Sequence, residues 1–290
     1  MDKYLFSIPD SYRVRLLNRS LLVALKEHPE WFYDDFVIET AYGCQPNCKW
    51  NGGRCEYQEG YQSSWTGEVL KMYDSFGVKY RLVFSNLLLR KEHLADHEGN
   101  ELCKIADGLG GYVMVSLPMM ADYLQRRYKR LKVCWSTTTQ FGKTTDDIIA
   151  KINQLSKDTV VVLPYQYNNK PEIEQLEHPE NIEVLVNEMC IDNCPFRRRH
   201  WEDVSRNVLY NTFSADSCYV PDKCRDKNLR REHIIPRGKL PWYRERKILK
   251  LKISGRDSPE QCYRDYIHYM VKPVQENSFK DFVREYVRTF

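Results

Sequence analysis

The 290-residue chain has no stretch approaching the roughly 20 apolar residues of a membrane-spanning helix, which argues against a membrane protein. Met1 to Ser7 carry one lysine, one aspartate and no long apolar run. They do not read as a secretory signal, so a cytoplasmic location is expected. Internal repeats and low-complexity tracts are missing. Glycine is scarce, at 13 residues, and no phosphate-cradling loop can be assembled from it. Gly108-Leu109-Gly110-Gly111 lacks both the lysine and the following helix. No nucleophile elbow occurs. His93 and His97 stand four apart, but Leu94 sits where a zinc-protease helix carries glutamate, so they read as a solvated helix face. Net charge is only +4, too small by itself to demand a nucleic-acid partner.

What is there is an ordinary globular balance, 42% hydrophobic and 29% charged, long enough for a large core. Two features stand out. Ten cysteines in a chain without a secretory signal should stay reduced, pointing to metal or redox chemistry or to core filling. The charge is also uneven: Pro195 to Arg256 holds 17 Lys and Arg against 7 Asp and Glu. That basic segment suits an anionic partner, or is simply a solvated arginine-rich loop.

Eight short runs rich in Val, Ile, Leu, Phe and Tyr read as buried parallel strands. They are Tyr4–Ile8, Phe36–Thr40, Tyr80–Asn86, Tyr112–Leu117, Lys132–Thr137, Thr159–Leu163, Glu183–Asn187 and Leu249–Ser254. Helices are expected between them at Tyr12–Glu27, Glu68–Phe76, Leu89–Gly108, Pro118–Arg130, Thr144–Leu155, Pro171–His178 and Pro195–Leu209, then at Pro259–Val271 and Ser278–Tyr286. Pro118, Pro171, Pro195 and Pro259 suit first helical turns. This alternation predicts an α/β fold, a single (β/α)8 TIM-type barrel over 1–290, with a doubly wound open sheet as its rival. Long loops follow strands 2 and 7, and the second includes an irregular insertion at 212–247.

In such a barrel the chemistry belongs at the C-terminal ends of the strands. The polar residues expected there include Glu39, Thr40, Ser85, Asn86, Ser116, Ser136, Thr137, Asn187, Glu188, Ser254 and Arg256. Alternation in the last strand turns Lys250, Lys252 and Ser254 inward. A buried lysine needs an anionic neighbour, either Glu39, Glu188 or a bound ligand, or else belongs to an internal salt-bridge network.

The cysteines form two constellations. Cys190 and Cys194 follow a strand end and precede Pro195 and Arg197-Arg198-Arg199. A helix N-terminus and arginines would favour thiolates there. With Cys218 and Cys224 they could make a four-thiolate site for an iron–sulfur cluster or zinc, although buried thiols explain two of them as well. Cys44, Cys48 and Cys55 follow strand 2, a placement that resembles radical S-adenosylmethionine enzymes. Their spacing differs, with Asn51 at the third cysteine position. The turn Asn51-Gly52-Gly53-Arg54 instead reads as an anion site or an ordinary tight turn.

The stretch Leu251-Lys252-Ile253-Ser254-Gly255-Arg256-Asp257-Ser258-Pro259-Glu260, followed by Tyr263 and Tyr266, resembles the bacterial collagenase-like peptidase family. The likeness spans mainly Glu183 to Tyr266, with Ser254 in place of the family's glutamate. It implies a TIM-type barrel, and several members of that family are cluster-dependent hydroxylases of tRNA, rRNA or ubiquinone precursors.

The resulting expectation is a barrel enzyme acting on an anionic substrate, through an iron–sulfur-dependent hydroxylation or another redox modification. Glu39 or Glu188 would serve as acid or base. Lys252, Arg54 and Arg256 would neutralise the substrate, and Asn86 and Asn187 would contact it. A peptidase or other hydrolase on the same barrel is the alternative. So is a non-catalytic module binding RNA or another anion, with aromatics interleaved among the arginines of Pro195–Arg256.

Overall fold

The computed structural model describes residues 2–52, 63–139, 141–192, 194–210, 231–255 and 258–289. Eight strands carry the fold: β1 (Tyr4–Pro9), β2 (Phe36–Gly43), β3 (Lys79–Phe84), β4 (Tyr112–Val115), β5 (Lys132–Trp135), β6 (Val160–Val162), β7 (Ile182–Leu185) and β8 (Lys250–Lys252). Each pairs in parallel with the next, and β8 returns to β1 through Leu5↔Lys250 and Ser7↔Lys252, closing the barrel. The expected (β/α)8 architecture is therefore the observed one, and the open sheet is excluded.

Around it lie α1 (Arg15–Glu27), α2 (Ser63–Ser75), α3 (His97–Gly108), α4 (Pro118–Arg127), α5 (Thr145–Ser156), α6 (Arg197–Tyr210), α7 (Leu240–Glu245), α8 (Pro259–Met270) and α9 (Glu276–Thr289). Their starts are written in the sequence. Pro118 and Pro259 occupy first turns, and Thr144 and Asp147 cap each other's backbone N–H at α5. None of the described helices is long and apolar enough to cross a membrane.

Four expectations need correction. The helix expected over Leu89–Gly108 is broken, because the Asp96 side chain accepts from Gly99 N at 2.9 Å and starts α3 afresh after a 3-10 turn at Lys91–Ala95. Pro171–His178 forms only a 3-10 turn at Pro171–Gln175, so no α-helix separates β6 from β7. The insertion at 212–247 lies outside the described residues up to 230. Its remainder is partly helical, with a 3-10 turn at Arg237–Lys239 leading into α7. Finally, β2 runs on to Gly43, past the expected end at Thr40.

Alternation sends every second strand residue into the barrel. Phe6, Val113, Leu251 and their like face the helices in one large apolar core. Inside, Met114, Val162 and Leu185 form a separate small apolar plug. Near that plug lies a buried polar layer. Arg81 Nη1 donates to Glu183 Oε2 at 2.6 Å, and the Ser7 hydroxyl donates to Glu183 Oε1 at 2.5 Å. With its one proton so used, Ser7 accepts from Thr40. Burial alone would raise the Glu183 pKa; Arg81 and Lys252, with these hydrogen bonds, outweigh it and hold the carboxyl below its ordinary value. Its folded pKa is thus lower than its unfolded one. The stabilisation is present above the ordinary carboxylate pKa and is lost as pH falls through the lower folded value. Acid titration followed by circular dichroism should show the barrel weakening below about pH 4, and Glu183→Gln should flatten that limb.

Candidate active site

The C-terminal mouth of the barrel encloses a cavity of about 310 Å³. Strand ends build it. Val83 and Ser85 come from the end of β3, Met114 from β4, Ser136, Thr137 and Thr138 from the turn after β5, and Leu185 and Glu188 from β7. Lys252 and Ser254 close it from β8, and Trp201 of α6 lies over it. Lys252 points inward, as alternation predicted. Its ammonium sits 3.8 Å from the Tyr42 ring centroid and 3.4 Å from Met114 Sδ. The carboxylate whose charge it shares is Glu183, which also pairs with Arg81; of the expected alternatives this matches the internal salt-bridge network, with Glu183 in place of Glu39 or Glu188.

A ridge of hydroxyls borders the same cavity. Thr138 Oγ1 lies 2.6 Å from Ser116 Oγ and 2.9 Å from Ser136 Oγ, and Thr137 Oγ1 accepts from Arg197 Nη2 at 3.3 Å. Ser85 is buried and has no side-chain partner among the described residues. Its strand end is clamped by the preceding loop. Asn86 N donates to the Trp50 carbonyl at 3.2 Å, and a Cβ on Gly52 would fall 1.9 Å from Ser85 Oγ, so only glycine packs there.

Of the two expected acid–base residues, Glu188 lines the cavity. Its Oε1 accepts from Cys190 N at 3.1 Å, and its carbonyl meets His233 Nε2 at 2.7 Å. Glu39 does not line it. The residue sits at a bulge in mid-strand, where β1 skips from Ile38 to Thr40, and its charge acts on Tyr112 and Arg81 deeper in the barrel. Because β2 is longer than expected, Tyr42 takes the place at the mouth assigned to Glu39.

The two asparagines are tied up within the protein. Asn86 Nδ2 donates to the carbonyls of Lys49 and Ser205, both at 3.1 Å, and its Oδ1 accepts from Leu88 N. Asn187 bridges β7 to β8 and α8. It donates to Ser254 O at 3.0 Å and Asp265 Oδ2 at 2.6 Å, and accepts from Ser254 N at 2.7 Å. Both fasten the rim through these bonds. Asn51 Nδ2 donates to Gln45 O, while its buried Oδ1 has no partner among the described residues. Arg54, Arg256, Cys55, Cys218 and Cys224 lie outside the described residues.

Cys190 and Cys194 are half-buried, and Cys194 is close enough for its charge to act on Cys190. Burial raises the Cys190 thiol. The Tyr165 hydroxyl and Arg197, whose guanidinium lies 4.0 Å over the Tyr165 ring, pull it back only in part. The expected thiolate is therefore not favoured by the protein alone. No group of three His, Cys, Asp or Glu able to hold a metal occurs among the described residues. By themselves they do not fit a cluster or zinc site. Cys103, Cys134 and Cys262 are fully buried, as core filling requires. Beside the thiols, His233 pairs with Asp192 through Nδ1 at 2.5 Å and with the Glu188 carbonyl through Nε2. Both ring nitrogens are engaged, so this imidazole has none left to activate a nucleophile.

No family profile and no curated protein matches the chain. Among solved structures, a U32 peptidase superposes with a TM-score of 0.51 at 15% identity, covering 88% of this chain and 94% of that one. The chain shares its barrel fold with that peptidase. At this identity the likeness is one of fold. It bears out the distant resemblance read from Leu251 to Tyr266 and carries no residue roles with it. A structure assigned as an amidohydrolase from Staphylococcus aureus gives a TM-score of 0.32 at 10% identity, covering 74% of this chain and 76% of that one. A chitinase from Rhizomucor miehei gives 0.41 at 10% identity, covering 97% and 100%. Neither similarity is strong enough to argue from.

Residues that sequence reading missed also shape the mouth. Tyr42, Thr138, Trp201 and Gln261 line it, and Arg197 reaches Thr137 at its edge. Arg81 and Glu183 left a readable signal: charges of opposite sign set among the apolar residues of two strands.

Proposed function

We propose that this chain is a barrel enzyme that acts at the C-terminal mouth on a small anionic substrate. The observation that carries the proposal is the inward Lys252 ammonium, which lines one cavity together with Ser85, Ser136 and Thr138. A fixed cation in a partly dry site holds carboxylate or phosphate far better than a solvated one. Glu188 is the carboxylate placed to move a proton, since it lines the same cavity. The proposal extends to Cys190 and Cys194 as half of a four-thiolate iron–sulfur or zinc site completed by Cys218 and Cys224. It is supported by two thiols beside the mouth, and the reaction class it brings is a hydroxylation or other redox step.

A library of small carboxylic and phosphoric acids, screened by thermal shift, tests the first part. Hits should stabilise the protein, and Lys252→Met should weaken them at least tenfold. Hits indifferent to Lys252→Met, or none, would overturn it. Anaerobic purification with iron, sulfide and zinc analysis tests the second, which a metal-free and fully active protein would exclude.

A further inference from the structure

The opposite end of the barrel holds another cavity, of about 610 Å³. Tyr4 at the start of β1, Tyr33 and Asp35 ahead of β2, the 3-10 turn at Arg237, and Arg264 and His268 on α8 enclose it. This end of a parallel barrel ordinarily carries stability rather than chemistry. Here it carries donors. Asp35 is matched within the protein, accepting from Arg237 Nη2 at 2.7 Å and Arg244 Nη2 at 3.4 Å, while the Arg237 guanidinium lies over the Tyr33 ring.

Three other donors have no such match. Tyr4 is 1% exposed, and its hydroxyl is buried with no hydrogen-bond partner among the described residues. A buried donor left so is unfavourable, and an acceptor in the cavity would satisfy it. Burial raises its pKa, which keeps it a phenol and a donor. His268 Nε2 accepts from Arg237 N at 3.2 Å, which places the proton of the neutral ring on Nδ1. That Nδ1–H meets no acceptor among the described residues. Arg264 donates to Gln261 Oε1 and has no carboxylate within ion-pair distance among the described residues. A buried phenol, with an exposed imidazole N–H and an exposed guanidinium, lines one cavity whose Glu276 carboxylate is paired with Lys280; together these donors suit a ligand made of acceptors and carrying negative charge.

We propose that this cavity binds an oxyanion-bearing small molecule, a carboxylate or a phosphate, with Arg264 as counter-charge and Tyr4 and His268 as neutral donors. The site stands apart from the mouth and does not depend on the function proposed there. Its volume lies within the range of small-ligand pockets.

Titration calorimetry with inorganic phosphate and with succinate, on the full chain, tests it. At least one anion should bind saturably, and which one does so separates phosphate from carboxylate. Arg264→Ala, on an exposed side chain, should weaken binding tenfold or more, and so should Tyr4→Phe, which keeps the ring. Lys252→Met should leave it unchanged, which separates this site from the mouth. Absence of saturable binding, or binding indifferent to either Arg264→Ala or Tyr4→Phe, would overturn the proposal, as would binding lost in Lys252→Met.

Discussion

Arg81→Met should destabilise the fold by about 3–5 kcal/mol, the range for removing one partner of a buried ion pair. Arg81 and Glu183 are both about 1% exposed, and their contact at 2.6 Å lies inside the closed barrel. Removing the guanidinium leaves a carboxylate that water cannot reach, compensated only by Lys252 and the Ser7 hydroxyl. The double variant Arg81→Met/Glu183→Gln should recover much of the loss, because no charge is then stranded. Urea denaturation of the three proteins reads the coupling directly. A loss under about 1 kcal/mol in Arg81→Met would mean that Lys252 alone satisfies Glu183.

Trp50→Ala should cost a similar amount, about 3–5 kcal/mol, for a different reason. The ring is fully buried, packs edge-on against Phe84 and Tyr123, and its Nε1 donates to the His93 carbonyl at 2.7 Å. Truncation opens a cavity and orphans that carbonyl. The effect should also reach the mouth, since the Trp50 backbone carbonyl holds Asn86 beside Ser85. Loss of stability by denaturation should therefore come with weaker binding of whatever acid the mouth selects. Stability lost with that affinity intact would show that the β3 end is fixed without the Trp50 anchor.

Much of the fold was legible because most strand residues are buried and each strand reads as a short, largely apolar run between turn or helix signals. The inward Lys252 was legible for a related reason, since strict alternation across β8 allows only one assignment. The asparagines were not. An amide at a strand end looks the same in sequence whether it awaits a ligand or fastens a loop. The partner that decides the matter lies 119 residues away for Asn86 and 78 for Asn187. Glu39 failed on geometry, because one bulged residue in β2 changes which side chains reach the rim. The Arg81–Glu183 pair makes sense only once β3 and β7 face each other across a closed interior.

Closure has a cost in time. β1 is made first, yet one of its two neighbours is β8, and the Tyr266 hydroxyl that braces α1 through Asn18 is 248 residues downstream. At about 5–20 residues per second of synthesis, β1 waits on the order of 10–50 s with one edge bare. Bare edges recruit other chains, and long-range pairing is slow to form. Folding of this protein should therefore be limited by one seam, with yield sensitive to anything that delays β8, α8 or α9 in reaching the N-terminal strand.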